Sequence, residues 1–79
     1  MYYVYILKSK KNGKYYIGST EDLEPRIIRH NSGKSNFTKK GIPWILIYNE
    51  QFNNRNDAHA REMKIKSYKG GAAFKKLIG

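Results

Sequence analysis

The sequence predicts a small mixed α/β (α+β) domain: three strands in a sheet with helices packed against it, in the order β-β-α-β-α-α. Three observations predict it. Two aromatic and β-branched runs, residues 2–8 and 14–19, flank an Asn12-Gly13 pair, a strong hairpin turn signal. A third, nearly unbroken apolar run extends from Trp44 to Tyr48. The remaining segments carry helical spacing and stop at Gly33 and at Gly70-Gly71, glycine being the common residue just past a helix end.

Each element has its own justification. Residues 2–8 (YYVYILK) and 14–19 (KYYIGS) read as the strands of the hairpin. Glu21 to about Ser32 reads as a helix, and Pro25 constrains where it starts. Proline is tolerated only in the first turn, where its missing N–H has no intrahelical acceptor. The N-cap therefore falls at Glu21 or Asp22, and aspartate is the better capping residue. Residues 34–43 (KSNFTKKGIP) form a basic loop. The Trp44–Tyr48 run predicts a strand buried on both faces or lying in the middle of the sheet. Residues 53–57 (NNRND) read as a turn into a capped helix from about Asn56 to Ser67, and AAFKKLI as a short basic helix after the glycine pair. There is no internal repeat, linker or low-complexity tract.

A chain of 79 residues makes one domain, 1–79, with a modest core. It has no cysteine, which excludes disulfides and thiolate metal sites and fits a cytoplasmic setting. No apolar run reaches the ~20 residues of a membrane span, and Met1–Leu7 is too short and too rich in tyrosine for a signal peptide. Sixteen Lys+Arg against six Asp+Glu give a formal charge of +10 and a pI near 10.0. Such charge repels itself in the folded state, so a polyanionic partner is expected, nucleic acid rather than a membrane surface.

The first helix places polar groups where apolar ones belong. At 100° per residue, Arg26 and His30 fall near Leu23 and Ile27 on the face expected to meet the sheet. On the second helix Ala58, Glu62 and Ile65 share one stripe, so a carboxylate also points inward. A buried charge needs a partner or a metal. Tyr5 and Tyr16 lie on the strands these helices cover, although tyrosine also suits a plain strand. Trp44 is expected in the core. Lys34, Thr38, Lys39 and Lys40 of the basic loop are expected to bind DNA phosphates, as are Lys66 and Lys69 of a basic C-terminal surface that also includes Lys64, Lys75 and Lys76.

With these motifs in order, the chain resembles the GIY-YIG nuclease family, in particular its small bacterial single-domain members. Tyr3-Val4-Tyr5 stands where the family has Gly-Ile-Tyr, and Tyr16-Ile17-Gly18 is the second motif intact. Asp22-Leu23 through Arg26 is similar to the family's arginine-bearing helix, His30-Asn31-Ser32-Gly33 to its His-Asn-x-Gly segment, and Ala60-Arg61-Glu62 through Ile65-Lys66 to its glutamate helix. Ser19-Thr20 replaces a lysine that many relatives carry after the Tyr-Ile-Gly glycine, and no asparagine of the larger members follows Glu62.

The resemblance implies a three-stranded antiparallel sheet flanked by helices. It implies a DNA endonuclease dependent on Mg²⁺ or Mn²⁺, of use in DNA repair or recombination, with RNA left open as substrate. Glu62 would bind the single metal ion. Arg26 would hold the scissile phosphate, and Tyr5 and Tyr16 would position the attacking water. A phenol titrates near 10 and histidine near 6.5, so the role of general base is divided between Tyr16 and His30. The rival expectation is a non-catalytic or partner-dependent nucleic-acid-binding module, completed by a separate DNA-targeting protein or by homodimerisation.

Overall fold

A computed structural model describes residues 1–79. It contains strands β1 (Tyr2–Ser9), β2 (Tyr15–Thr20) and β3 (Trp44–Phe52), and helices α1 (Leu23–Asn31), α2 (Arg55–Ser67) and α3 (Ala72–Ile78). The order is β-β-α-β-α-α, as expected, with an additional short 3₁₀ turn at Lys39–Gly41 in the basic loop. The sheet is antiparallel with strand order β2-β1-β3.

The hairpin closes as its sequence dictates. Gly13 has φ +74, the left-handed conformation that glycine adopts at least cost. The buried Ser9 hydroxyl accepts the N–H groups of Lys11 and Asn12 and donates to the Gly41 carbonyl at 2.6 Å, tying the turn to the basic loop.

One expectation is corrected. The strand buried on both faces is not Trp44–Tyr48 but β1, whose residues Val4, Tyr5, Ile6 and Leu7 are fully buried. β3 is an edge strand, and its Ile45 is exposed. Its run is nearly all apolar because the register with β1 shifts between Ile6 and Leu7, where Tyr48 and Leu46 are the respective partners. The extra residue, Ile47, leaves it and Tyr48 both packed on the same core, so apolar residues follow one another without alternating.

Alternation along β1 divides the interior in two. Val4 and Ile6 pack with Ala58, Ile65 and Phe74 under α2 and α3. Tyr5 and Leu7 pack with Trp44, Tyr16, Leu23 and Ile27 under α1. Pro25 lies in the first turn of α1, as its chemistry requires. Asp22 occupies the N-cap position but its side chain makes no capping bond; its N–H goes instead to Thr20 Oγ1. At the other end of α1, Asn31 accepts the Trp44 N–H at 2.6 Å and donates to the Trp44 carbonyl at 3.1 Å, fixing the helix to the start of β3. The second helix is capped by Asn54, whose Oδ1 accepts the Asp57 N–H at 2.8 Å.

Candidate active site

Tyr5 stands directly opposite Gly18 across the β1–β2 ladder. That pairing explains the glycine of the Tyr-Ile-Gly motif. A Cβ built on Gly18 would lie 2.7 Å from Tyr5 Oη and 3.2 Å from Tyr16 Cε2. The phenol of Tyr5 therefore lies across bare backbone, and the two tyrosine rings stand 6.2 Å apart between centroids.

His30 joins the two phenols. Its Nε2 is 3.0 Å from Tyr5 Oη, and its ring centroid is 4.6 Å from that of Tyr16. Its Nδ1 is 3.1 Å from Thr38 Oγ1, and Trp44 Nε1 donates to the Thr38 carbonyl at 2.7 Å. The inward placement of His30 expected from helical spacing holds: it is 4% exposed, the buried residue of α1. Arg26 lies beside the same group, its guanidinium near enough to the buried Tyr5 phenol to oppose the rise in pKa that burial causes there. Arg26 itself is exposed, because a guanidinium stays hydrated unless it is paired. Its charge also acts on His30.

These surroundings set the protonation of the cluster. Burial, reinforced by the neighbouring Tyr16, pushes Tyr5 up to about 12, so it remains a phenol at neutral pH. Burial and then the charges of Arg26 and Arg29 hold His30 below its ordinary 6.5. The imidazole is therefore neutral at pH 7, with both ring nitrogens already engaged.

The depressed value has a consequence for stability. The unfolded chain takes up a proton near 6.5 before the folded His30 does, so the stability His30 contributes is complete above that pH and is lost as pH falls below it. Glu62 and Glu50, also depressed, add a second loss as pH falls below about 4.5. Urea unfolding between pH 7.5 and 5.5 should show wild-type stability falling and His30→Gln giving a flatter profile. Equal slopes would remove His30 as the cause.

Glu62 is 9% exposed and, with Ala58 and Ile65, forms the buried stripe expected of α2. Its surroundings are polar: Ser19 Oγ donates to Oε1 at 2.7 Å, Lys66 Nζ donates to Oε2 at 2.7 Å, and His59 Nδ1 is 3.9 Å away. Burial alone would raise its pKa, but the bonds from Lys66 and Ser19 outweigh it and hold the carboxyl below the usual range. Glu62 is therefore ionised at neutral pH.

The five residues expected to share one site do not all touch. Gly18 and Ser19 are consecutive in β2 and point to opposite faces of the sheet. Tyr5, Tyr16 and His30 lie on the α1 face with Gly18, whereas Glu62 meets Ser19 on the α2 face. An open cleft of about 610 Å³ spans the edge between them, lined by Ser19, Arg26, Arg29, Lys34, Arg55 and Ala58 among others. Arg29 and Arg55 were not singled out from the sequence, because their meeting across the cleft depends on how α1 and α2 flank β2.

The residues present fit a hard divalent cation. No group of three or more His, Cys, Asp or Glu side chains converges anywhere, which excludes an all-protein cage of the zinc type. A single ionised carboxylate suits Mg²⁺ or Mn²⁺, ions that retain waters and take phosphate oxygens as further ligands. The Lys66 ammonium already holds a cationic position on Glu62 Oε2.

Among the expected DNA contacts, Lys34, Lys39, Lys40 and Lys69 are exposed. Thr38 is a correction: it is fully buried and bonded to His30, so it supports the site from behind rather than meeting DNA. The ammonium of Lys66 is likewise committed to Glu62.

The protein is thus a small α+β domain with a cleft in which Arg26, Arg29, Lys34 and Arg55 outnumber Glu21 and Asp22, a lining suited to a phosphate backbone. A family model described as the GIY-YIG catalytic domain matches residues 1–75. The chain belongs to the GIY-YIG family, which is in general a family of nucleases. It is 43% identical over 68 residues to a UPF0213 protein of Staphylococcus haemolyticus, covering 85% of this chain and 82% of that relative. A UPF0213 protein of Streptococcus pneumoniae is 38% identical over 68 residues, covering 85% of this chain and 68% of that one. The solution NMR structure of a UPF0213 protein from Bacillus halodurans is similar with a TM-score of 0.61 and 32% identity, over 99% of this chain and 83% of the other. No helix is long and apolar enough to cross a membrane.

Proposed function

We propose that this chain is a divalent-metal-dependent endonuclease that hydrolyses DNA phosphodiester bonds in the cytoplasm, in repair or recombination. The observation that carries the reading is the cleft, where exposed cations lead to a polar edge with Arg26 beside the phenols on one side and the Ser19–Glu62 pair on the other.

Glu62 would hold Mg²⁺ or Mn²⁺, which when bound supplies positive charge that acidifies a water and offsets the charge of the leaving oxygen. Arg26 forks onto the non-bridging oxygens of the scissile phosphate and meets the charge that grows there as the bond to phosphorus forms. Tyr16, half-buried where Tyr5 is enclosed, offers its phenol oxygen to the attacking water. His30 acts as a positioning residue: with Nε2 on Tyr5, Nδ1 on Thr38 and its ring packed 4.6 Å from that of Tyr16, it braces both phenol rings instead of moving a proton. Of the two groups between which the sequence divided the base role, this favours Tyr16. Phosphate contacts carry no sequence information, so sequence choice would come from a separate DNA-targeting protein or a second copy of the chain.

Incubation with supercoiled, nicked and branched DNA plus Mg²⁺ or Mn²⁺ tests the reading. Arg26→Ala, an exposed substitution that should fold normally, is expected to lower kcat by about 10²–10³-fold. No cleavage by the wild type, or equal cleavage by the variant, would sink it. A non-catalytic binding module draws support from Lys66, which already neutralises Glu62. That reading gains if the wild type binds DNA without ever cutting it.

A further inference from the structure

Phe37 is 93% exposed, the most solvent-bared of the large apolar side chains. A lone surface hydrophobe is ordinary, but this one is set on a fixed base. The next residue, Thr38, is fully buried. Its hydroxyl meets His30 Nδ1, its carbonyl accepts Trp44 Nε1 at 2.7 Å and the Gly41 N–H at 3.0 Å, and its own N–H reaches the Ser35 carbonyl at 3.3 Å. The loop thus holds Phe37 out to solvent one residue from the group that bonds the site histidine.

The surroundings restrict what the ring can meet. Lys34, Lys39 and Lys40 are exposed on the same loop. No acidic residue occurs between Glu24 and Glu50, a stretch that also carries Arg26 and Arg29. A partner that seats against this segment must be anionic and must also offer an apolar flat face. A nucleobase on a phosphate backbone combines the two. In an intact duplex the base faces are covered by their neighbours. An aromatic side chain reaches one only where stacking is already broken, as in a single strand or at a fork.

We infer that Phe37 is a stacking platform for an unpaired base next to the phosphate engaged by the cleft. The inference rests on the nuclease reading and narrows its substrate to nucleic acid with unstacked nucleotides. Lys34, Lys39 and Lys40 hold the flanking phosphates while the ring covers the base.

The test is binding by fluorescence anisotropy in EDTA, so that it is independent of cleavage. The probes are labelled single-stranded DNA, single-stranded RNA, a forked DNA duplex and a blunt DNA duplex. Phe37→Ala should weaken binding to the forked probe and to at least one single strand by roughly 5- to 150-fold, leave the blunt duplex unchanged, and be rescued by Phe37→Trp. The DNA and RNA arms show which backbone carries the base. An equal loss on all probes, or no loss on any, overturns the inference; in the second case the ring is left to a protein partner. If the wild type binds none of the probes, the nuclease reading fails with it. Binding by the wild type without a selective effect of Phe37→Ala removes this inference alone.

Discussion

Glu62→Gln is expected to lower metal-dependent cleavage by about 10³-fold or more, the upper end of what one group facing transition-state charge supplies. Glutamine keeps the shape of the side chain and one oxygen, which can accept from Lys66 while its NH2 group donates to a rotated Ser19 hydroxyl. What it loses is the negative charge that a divalent ion requires. The fold should tolerate the exchange, because the side chains are nearly equal in volume and the Lys66 ammonium, 44% exposed, stays hydrated without the carboxylate. Three measurements belong together: single-turnover cleavage, Mn²⁺ binding followed by electron paramagnetic resonance, and thermal unfolding. Undiminished Mn²⁺ binding by the variant would mean that the ion sits elsewhere.

Gly18→Ala should damage both stability and activity. The new methyl group would meet Tyr5 Oη at 2.7 Å and Cζ at 2.8 Å, and Tyr5 has nowhere to go. It is fully buried, packed with Leu7 and Trp44, and bonded to His30. Overpacking of this kind costs about 1–3 kcal/mol, a large fraction of what a small domain has. A displacement of about 1 Å among catalytic groups lowers the rate by about 10²-fold. The double variant Gly18→Ala/Tyr5→Phe lacks the nearest clashing atom. Its unfolding free energy should therefore exceed the value expected from adding the single changes. Strict additivity would show that the clash is relieved by other means.

The sheet, the hairpin turn and the inward-facing His30 and Glu62 were all legible from short-range rules: a turn pair, strand alternation and the wheel of a helix. What was not legible depends on tertiary arrangement. Nothing local tells which face of the sheet each helix covers, so it could not be read from the motifs that Glu62 would bond Ser19 and reach the Tyr5 phenol through its charge instead of by direct contact. The edge position of β3 was hidden by its bulge, because Ile47 and Tyr48 pack on one core and imitate a strand with two buried faces. Thr38 sits among lysines and reads as surface; only the closing of His30 and Trp44 around it puts it inside. Glu62 and Lys66 are four apart with the acid first, the favourable order for a helical ion pair, and that pair is present at 2.7 Å.

The opposite aims of Gly18 and Ser19 bear on how this protein can change over time. A single-residue slip of β2 against β1 would turn each side chain to the other face. According to its direction it would set Ser19 or Ile17 against the Tyr5 phenol, and either way it would withdraw the hydroxyl from Glu62, spoiling both halves of the cleft in one event. An odd-numbered insertion within β2 that no bulge absorbs is therefore selected against, whereas the exposed Lys10–Lys14 turn can lengthen as long as the pairing of Tyr5 with Gly18 is kept. The hairpin acts as a ratchet on its own evolution: its loop can drift, but its phase cannot.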